Sequence, residues 1–378
     1  LIKPTNTLNL TKLKNMIKNR FEYIAAIERR QASRLNTSSG FRLDMAERLI
    51  DYPEDFMHKF YNELNPEDFV VYPKIELINE LKHCLSTING MALDNYLIDS
   101  GSDAVIKNCF HALCNENDSI IISSPSFPMY KIYASMFALK TQEIGFDDSP
   151  VFDLDNIINA IDSSSKMVVL ANPNSPYGDK KSLNDITNLL KVLQSKDIYL
   201  LLDEAYVDFG KESMVPLVSK FDKLIILRTF SKAWGAAGTR MGYCISNLKN
   251  IQQIEKVQLT YPVSNVSLKF AIYLCNNSKM IEDYAKATIL ERDLLINALR
   301  NSGYKVLDSS NNSIHFHDSF SNEQVINIFN KHKVSFKTGS SASTPLIVPG
   351  DERKDWIRIS VGQGIMKTEY IKELLETK

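Results

Sequence analysis

The sequence lacks any apolar run approaching the ~20 residues that a membrane-spanning helix requires. Its first 19 residues are polar and lack the apolar central segment of a secretion signal, so we expect a cytoplasmic protein. An excess of charge is also missing, because the formal net charge of the 378 residues is -1. That value gives no electrostatic attraction to nucleic acid or to an anionic membrane. Low-complexity tracts, heptads and internal repeats are absent as well, which leaves a globular protein long enough for a large domain and a smaller companion.

Close cysteine pairs are absent. The five cysteines are an odd number with mostly apolar neighbours, which favours free, buried thiols in a reducing compartment. They are Cys84, Cys109, Cys114, Cys244 and Cys275.

His315 and His317 would project from the same face of a strand, an arrangement that suits a metal ion. Because no third ligand accompanies them, we expect no metal.

The centre of the chain alternates short apolar runs with amphipathic stretches, as βα units do. The near-continuous apolar character of the runs favours strands buried on both faces of a mostly parallel sheet. The predicted strands cover residues 119–123, 167–171, 198–202, 224–228 and 242–246. The predicted helices cover residues 102–114, 129–137, 183–194 and 264–275.

A second, smaller unit is expected toward the end of the chain. Residues 282–301 predict a long helix with few breakers, which would link the two units. Short strands are expected at residues 304–306, 313–316 and 356–360, and residues 10–34 show helical periodicity. We therefore predict a large domain of residues 45–275 and a small α/β domain of residues 1–44 and 276–378.

Four groups of polar residues lie at the ends of predicted strands, where open α/β sheets hold their ligands. The first is Ser100-Gly101-Ser102-Asp103, which leads directly into a predicted helix. A glycine turn followed by Ser102 and Asp103 at a helix N-terminus supplies free N–H groups and a favourable dipole for an anion. An ordinary helix cap is the alternative interpretation.

The second group is Ala-Asn-Pro-Asn-Ser-Pro-Tyr-Gly at residues 171–178, directly after an apolar run. Two prolines and a glycine fix an irregular turn. Such a turn can aim the side chains of Asn174 and Ser175 rigidly. A plain surface loop is the alternative.

The third group is Asp203-Glu204-Ala205-Tyr206, at the end of an apolar run. Acids in this position are costly unless they have partners. A carboxylate at Asp203 that faces a pyridine nitrogen keeps that nitrogen protonated, and Tyr206 could donate to the phenolic oxygen of the same ring. A salt bridge at the strand end is the alternative.

The fourth group is Thr-Phe-Ser-Lys-Ala-Trp-Gly-Ala-Ala-Gly-Thr-Arg at residues 229–240. The hydroxyls of Thr229 and Ser231 and the guanidinium of Arg240 suit a phosphate, and Lys232 supplies an amine that can form an imine with an aldehyde. A lone lysine after a strand is usually solvated. One cofactor nevertheless accounts for all four groups together, and that cofactor is pyridoxal 5'-phosphate.

Residues 72–362 resemble the fold-type I pyridoxal phosphate enzymes of the class I/II aminotransferase group, and within it the histidinol-phosphate aminotransferases. The motifs that carry the resemblance are Asn-Pro-Asn-x-Pro-x-Gly, Asp-Glu-Ala-Tyr, Thr-x-Ser-Lys-Ala-x-Gly-x-Ala-Gly-x-Arg-x-Gly-Tyr and a late Ile-Arg-Ile-Ser-Val-Gly. The resemblance implies a large domain with a mostly parallel central sheet flanked by helices, plus a smaller α/β domain formed by the two chain ends.

The resemblance also implies roles for individual residues. Lys232 would bind the cofactor covalently and carry a proton, Asp203 would pair with the pyridine nitrogen, and Tyr206 would contact the phenolic oxygen. The other cofactor-binding positions would be Ser102, Asp103, Phe127 (stacked on the ring), Asn174, Ser175, Thr229, Ser231, Arg240 and Tyr72. Because Tyr72 matches a tyrosine from the neighbouring subunit, a homodimer with shared active sites is implied. Arg358 and Lys337 would bind the substrate carboxylate or phosphate.

Four departures from the family pattern lie on the substrate side. Ser175 stands where an asparagine is usual, Phe127 where the histidinol-phosphate branch has tyrosine, and Lys337 where that branch has arginine. Residues 43–48 replace its Asn-x-Asn-Glu segment. These changes predict a substrate other than histidinol phosphate itself.

From the motifs together we expect an aminotransferase that moves an amino group from an amino acid, glutamate, to a small carbonyl acceptor with or without a phosphate group, by a ping-pong mechanism.

Two other functions compete with this prediction. A decarboxylase of a phosphorylated amino acid would use the same motifs, because the orientation of the bond to be broken, and not cofactor binding, separates the two reactions. A binding or regulatory module that retains the fold is a third possibility. Such a module commonly carries an added DNA-binding domain or lacks the lysine, and neither feature occurs in this sequence.

Overall fold

Strands and helices alternate along the chain, as the pattern of apolar runs predicts. The computed structural model describes residues 27, 40–146, 151–318, 321–338 and 356–377. The strands within these residues are β1 Phe41–Arg42, β2 Tyr96–Asp99, β3 Ser119–Ser124, β4 Lys140–Gly145, β5 Ser165–Ala171, β6 Tyr199–Asp203, β7 Leu224–Thr229, β8 Gly242–Ile245, β9 Lys305–Val306, β10 Ser313–His317, β11 Val334–Ser335, β12 Lys337–Thr338 and β13 Ile357–Ser360. The α-helices are α1 Glu54–Tyr61, α2 Glu67–Val70, α3 Ile75–Asn89, α4 Gly101–Leu113, α5 Met129–Met136, α6 Leu154–Ala160, α7 Leu183–Ser195, α8 Val207–Gly210, α9 Leu248–Glu255, α10 Asn265–Asn276, α11 Ser278–Asn301, α12 Glu323–Lys331 and α13 Glu369–Glu376.

A seven-stranded sheet forms the centre of the molecule, in the order β2-β8-β7-β6-β5-β3-β4. Neighbouring strands from β7 to β4 are parallel, whereas β8 runs antiparallel to both β7 and β2. The predicted mostly parallel sheet is therefore confirmed. Its two outermost strands escaped prediction because β2 is short and β4, with the sequence Lys-Thr-Gln-Glu-Ile-Gly, is largely polar.

Apolar side chains cover both faces of this sheet. Along β5, Val168 and Leu170 belong to one buried cluster, whereas Met167 and Val169 belong to the cluster on the opposite face. The same alternation recurs along β6 and β7. Because successive strand residues point to opposite faces, a continuous apolar run is what a sheet covered on both sides requires.

A second sheet is smaller and antiparallel, with the order β12-β13-β10-β9. One of its faces buries Ile314, Phe316, Ile357 and Ile359 in a third apolar cluster. Nearby, β1 pairs in parallel with β11, which ties the described start of the chain to this smaller unit. The predicted α/β architecture, with a large mostly parallel sheet and a smaller second unit, is therefore confirmed. The exact division at residues 44/45 and 275/276 stays a prediction.

Helix α11, Ser278–Asn301, connects the two units. Residues in its first half, including Ile281 and Ile289, belong to the apolar cluster of the large sheet, whereas Leu295 and Leu299 belong to that of the small sheet. The helical pattern predicted for residues 10–34 lies, apart from residue 27, outside the described residues. In the part of the chain that the structure describes, no helix combines the length and apolar character needed to cross a membrane.

Candidate active site

Four loops converge at the carboxyl ends of the parallel strands. They follow β3, β5, β6 and β7, which are neighbours in the sheet order. Because parallel strands all end at the same edge of a sheet, polar residues that are distant in sequence are gathered there. These loops carry three of the four polar groups of the sequence analysis, and the first group follows β2, an outermost strand of the same sheet.

Asp203 is the last residue of β6, and its carboxylate is buried and held at both oxygens. The hydroxyl of Tyr130 donates to Oδ2 at 2.7 Å, and the main-chain N–H of Ala205 donates to Oδ1 at 2.9 Å. Burial raises the pKa of the Asp203 carboxyl, while the hydrogen bond from Tyr130 and the charge of Lys232 oppose that rise. The acid is thus fixed in orientation at the strand end.

Glu204, the next residue, points away from this site. Its carboxylate forms an ion pair with Arg228 at 2.8 Å and accepts a hydrogen bond from the main-chain N–H of Met214. Burial raises the pKa of Glu204, and the charge of Arg228 opposes that effect. The adjacent acids therefore have different partners: among the described residues Glu204 forms a salt bridge, whereas Asp203 accepts hydrogen bonds from Tyr130 and Ala205.

Lys232 lies in the loop after β7. Its Nζ donates to the carbonyl oxygen of Met45 at 3.1 Å and lies 5.4 Å from the centre of the Tyr206 ring. The charge of Lys232 also acts on Asp203. The structure thus brings together the lysine, the acid and the phenol that the sequence predicts to be catalytic.

The N-terminus of α4 and Arg240 face each other. A Cβ atom added to Gly101 would lie 3.0 Å from Nη2 of Arg240, and Gly101 has a φ of +82°, which favours glycine. The side chain of the N-cap residue Ser100 makes no capping hydrogen bond, so the start of the helix offers main-chain N–H groups to an anion. A Cβ atom at Gly242 would overlap the main-chain nitrogen of Ser102, so β8 passes directly against this helix N-terminus.

The loop that follows β5 is fixed by its own main chain. Asn174 receives a hydrogen bond from Gly178 at its carbonyl and donates its N–H to the carbonyl of Asp179. The side-chain amide of Asn311 donates to the same Asn174 carbonyl at 3.0 Å. The amide side chain of Asn174 is buried, and neither its oxygen nor its nitrogen has a hydrogen-bond partner among the described residues. Leaving a buried amide without hydrogen bonds is costly, so the side chain of Asn174 is suited to bind a ligand.

Two cations from the small sheet approach Lys232. Arg358 in β13 is paired in register with Lys337 in β12, and Nη2 of Arg358 donates to the carbonyl of Asp44 at 3.1 Å. Burial lowers the pKa of Lys337 to about 8, and the charges of Arg358 and Lys232 act in the same direction. Burial likewise lowers the pKa of Arg358, against the opposing effects of Tyr206 and Asp44. An anion placed among these groups would be bound by several charges at once.

Four further predicted residues differ in how they are placed. Ser231 donates its main-chain N–H to Oγ1 of Thr229 at 3.1 Å, which closes the turn that precedes Lys232. Phe127 is partly exposed and packs edge-on against Tyr130, with 5.7 Å between ring centres. Tyr72 is 75% exposed, and its ring stacks on Tyr261 at 4.5 Å.

Sequence reasoning missed two contributions to this site. Tyr130 gave no signal, because its partner Asp203 is 73 residues away and only the sheet brings the two together. The carbonyl oxygens of Asp44 and Met45 bind the side chains of Arg358 and Lys232, respectively. Main-chain acceptors of this kind cannot be recognised from residue types.

Comparison with known proteins identifies the group to which this chain belongs. Residues 35–377 match the family described as aminotransferase class I and II. The chain belongs to the aminotransferase class I and II family. The motif-based resemblance is therefore confirmed, and the protein is an enzyme, a pyridoxal 5'-phosphate-dependent aminotransferase.

Named relatives of this aminotransferase agree with that assignment. It is 27% identical over 332 residues to histidinol-phosphate aminotransferase of Clostridium novyi, which covers 87% of this chain and 89% of the relative. It is 32% identical over 274 residues to histidinol-phosphate aminotransferase 1 of Carboxydothermus hydrogenoformans, covering 72% and 77% of the two chains. Among solved structures, the complex of histidinol-phosphate aminotransferase from Sinorhizobium meliloti with pyridoxal 5'-phosphate has a TM-score of 0.77 at 20% identity, covering 94% of this chain and 95% of the other. The names of the sequence relatives favour transamination over the decarboxylase alternative.

The site of this aminotransferase fits the cofactor. A buried amide without a partner at Asn174, an uncapped helix N-terminus beside Arg240 and an acid held at both oxygens are each suited to a phosphorylated pyridine. Among the described residues, the amine of Lys232 donates its hydrogen bond to a neutral main-chain carbonyl, which it can leave without breaking an ion pair.

Proposed function

We propose that this aminotransferase takes an amino group from an amino acid, glutamate in the simplest case, and passes it to a small carbonyl compound with or without a phosphate group. The two half-reactions would follow one another at one site, which gives ping-pong kinetics. The observation that carries the proposal is the convergence of Lys232, Asp203 and Tyr206, with Nζ of the lysine 5.4 Å from the centre of the phenol ring. Arg358 and Lys337 on the neighbouring sheet supply the charge for an anionic substrate.

The proposed catalytic roles follow from positions and charges. Pyridoxal 5'-phosphate, when bound, supplies a ring that accepts the electron pair left behind when a substrate Cα loses its proton. Asp203 would hold a proton on the ring nitrogen, because a carboxylate beside that nitrogen favours its charged form. Nζ of Lys232 would remove the Cα proton as a general base and would move it to C4' of the cofactor, because the amino group is transferred only if the proton does not return to Cα. The hydroxyl of Tyr206 would donate to the phenolic oxygen.

The remaining cofactor-binding roles are proposed on the same basis. Arg240, Thr229, Ser231 and the helix start at Ser102 and Asp103 would hold the phosphate, since positive charge and the N-terminal end of a helix meet there. Phe127 would stack on the ring. Asn174 and Ser175 would bind on the phenolic side, and the unpartnered amide of Asn174 supplies the reach that Ser175 lacks.

An anionic substrate explains the two cations of the small sheet. Arg358 and Lys337 are cross-strand neighbours, so their side chains lie on the same face. Arg358 would bind a carboxylate or phosphate with two parallel hydrogen bonds, which a planar guanidinium is shaped to make. Its contact with the Asp44 carbonyl would be exchanged for the substrate.

Incubation of the holoenzyme with glutamate tests the proposed reaction. Loss of the visible absorbance of the lysine-bound cofactor, with release of 2-oxoglutarate, is expected for the wild type and for the exposed-lysine control Lys107→Ala. The variant Lys232→Ala should show neither change. Carbon dioxide release from a phosphorylated amino acid, without 2-oxoglutarate formation from glutamate, would contradict transamination. A screen of small phosphorylated and unphosphorylated ketones as acceptors would then identify the second substrate.

We also propose a homodimer with shared active sites. An exposed apolar surface around Tyr72 supports it, since Phe69, Val70, Tyr72, Leu259 and Tyr261 are each more than half exposed. The two segments that carry it are joined by Asn265, whose side chain accepts from the N–H of Lys74 and donates to the carbonyl of Val71. Exposed apolar patches of this kind mark association surfaces.

Mixing two inactive variants tests the shared site. If Tyr72 serves the partner's cofactor, a hybrid of Lys232→Ala and Tyr72→Ala subunits contains one intact site, and random mixing restores about one quarter of the wild-type activity. If each chain supplies its own tyrosine, no hybrid site is intact and mixing restores nothing. Sedimentation of the wild type at matched concentration reports the subunit number directly.

The expected cytoplasmic location is retained as a proposal. The five cysteines are free, and three of them are buried. Burial raises the pKa of the Cys114 and Cys244 thiols to about 12, so both stay protonated and unreactive. Unpaired thiols are typical of a reducing compartment. Localisation of the tagged full-length protein is the measurement that checks this.

A further inference from the structure

Three side chains form a row across the small sheet. Lys337 is paired in register with Arg358, and Arg358 with His315 on its other side. Residues directly opposite each other on antiparallel strands project from the same face, with Cβ atoms roughly 4.5–5.5 Å apart. The apolar residues that alternate with them face the core of the small unit. Arg358 is therefore flanked by Lys337 and His315 on the face that meets the loop after β5.

Arg358 and His315 both have unused hydrogen-bonding atoms. Nη2 of Arg358 donates to the Asp44 carbonyl, but Nε is buried and has no acceptor among the described residues. The ring of His315 is fully buried, and within the same residues neither Nδ1 nor Nε2 has a partner. A donor and an acceptor that are each buried and unpaired are costly, and the cost disappears if they pair with each other.

The chemistry of the row makes His315 the suitable acceptor for Arg358. Burial and the charge of Arg358 hold the pKa of His315 well below its usual value, so the ring is neutral and one of its nitrogens accepts a hydrogen bond. In its charged form, Lys337 has only donors. The ring of Tyr177 packs against His315 at 5.7 Å between centres and limits the positions that the imidazole can adopt.

We propose that His315 is a positioning residue for Arg358: a ring nitrogen of His315 accepts a hydrogen bond from Nε of Arg358 when the guanidinium leaves the Asp44 carbonyl and turns toward a substrate anion. With Nε held in this way, the two terminal nitrogens face outward together and bind a carboxylate or phosphate at two points. His315 is fully buried and would act through Arg358, not on the substrate itself. This inference rests on the proposed function of Arg358 as the substrate-binding arginine.

Three substitutions separate positioning from packing. His315→Phe keeps an aromatic ring against Tyr177 and removes the acceptor. His315→Asn and His315→Gln remove the ring, but each supplies an amide oxygen, near the places of Nδ1 and Nε2 respectively. If His315 positions Arg358, His315→Phe loses anion affinity and at least one amide variant recovers it. If His315 only fills space, His315→Phe keeps its anion affinity and both amide variants lose it.

Binding of succinate to the holoenzyme, measured by titration calorimetry, is the main readout, with the KM for glutamate and the maximal half-reaction rate beside it. We expect His315→Phe to raise the succinate Kd and the glutamate KM roughly tenfold, the effect of losing one charge-assisted hydrogen bond, while the maximal rate changes by less than about threefold. The better amide variant should stay within about threefold of the wild-type Kd. Unfolding midpoints of all three variants show whether each is folded at the assay temperature.

Unchanged succinate binding in His315→Phe would overturn the inference, as would a loss of affinity in both amide variants equal to that in His315→Phe. The measurement does not depend on the proposed reaction, because succinate has no amino group. If the wild type fails to react with glutamate while His315→Phe loses succinate affinity, the proposed function fails and the inference about His315 stands. If glutamate reacts and all variants bind succinate alike, the proposed function stands and the inference about His315 fails.

Discussion

Tyr130 donates a hydrogen bond to Oδ2 of Asp203 at 2.7 Å, and both side chains are buried. Since this bond lowers the pKa of Asp203, Tyr130→Phe should raise it. The carboxyl would then be protonated over more of the acid range. We expect the acid limb of kcat/KM against pH to move up by about one pH unit, the equivalent of one lost hydrogen bond to a charged group.

A matched control for this variant is Tyr96→Phe. The Tyr96 hydroxyl is also buried and donates to the carbonyl of Leu85 at 3.0 Å, in the packing of α3 against β2. Its loss should cost roughly 1 kcal/mol of stability and leave the pH profile in place. Equal shifts of the acid limb in both variants would show that Tyr130 has no specific influence on Asp203.

Substrate binding should weaken as pH rises through the pKa of Lys337, which is about 8. That pKa lies below the usual lysine value, so Lys337 is charged below it and neutral above it. An anionic substrate thus loses one cationic partner at alkaline pH, and the glutamate KM of the wild type should rise roughly fivefold to tenfold.

The control for the Lys337 titration is Lys337→Arg, because arginine stays charged throughout this range. Its glutamate KM should remain flat across pH 8, whereas Lys337→Met should have a KM that is high and flat. A rise in KM of the same size in Lys337→Arg would assign the titration to a different group. Glutamate KM values measured at several pH values on either side of the pKa decide between these outcomes.

Gly101→Ala should weaken cofactor binding. The new Cβ would lie 3.0 Å from Nη2 of Arg240, and the φ of +82° is strained for alanine. We expect the Kd for pyridoxal 5'-phosphate, measured by its visible absorbance, to rise roughly tenfold through displacement of Arg240. Gly90→Ala is the matched control, because Gly90 has a φ of +74° with nothing within 4 Å of the added Cβ. It should cost about 1 kcal/mol of stability and leave the Kd unchanged.

Glu204→Gln should destabilise the protein. Glu204 and Arg228 form a buried ion pair, and the substitution removes the carboxylate that contacts the guanidinium, so that among the described acids only the charge of Asp208 still acts on it. Breaking a buried pair from one side costs about 3–5 kcal/mol. The exposed pair of Lys131 and Glu143 gives the control Glu143→Gln, which should cost less than about 1 kcal/mol. Denaturant unfolding of both variants tests this, and equal losses would contradict it.

The site could be predicted best where a reactive side chain follows closely after a buried strand in the sequence. Lys232 and Arg240 follow an apolar strand within twelve residues of its end, so a linear motif contains both the position and the chemistry. The buried strands of the central sheet were predictable for the same reason, because both of their faces are covered. The edge strand β4 was not, because its residues are mostly polar.

Pairs made by sheet register were not predictable. His315 and Arg358 are neighbours only because β10 and β13 align residue by residue, and nothing in either segment encodes that alignment. Asp203 and Glu204 show a related limit. Successive side chains of a strand point to opposite faces of the sheet, but the elements packed around the sheet decide which face meets a ligand. The sequence of β6 alone therefore does not show which of the two acids faces the site.

The long helix α11 has residues in the apolar clusters of both units and contains neither glycine nor proline. Helices bend sharply almost only where such residues or inserted groups interrupt their hydrogen bonding. The helix is therefore expected to be a rigid connection between the two sheets. A change in the distance between Arg358 and Lys232 during turnover would have to arise at the ends of this helix, or from the arginine side chain itself, and not from bending along the helix.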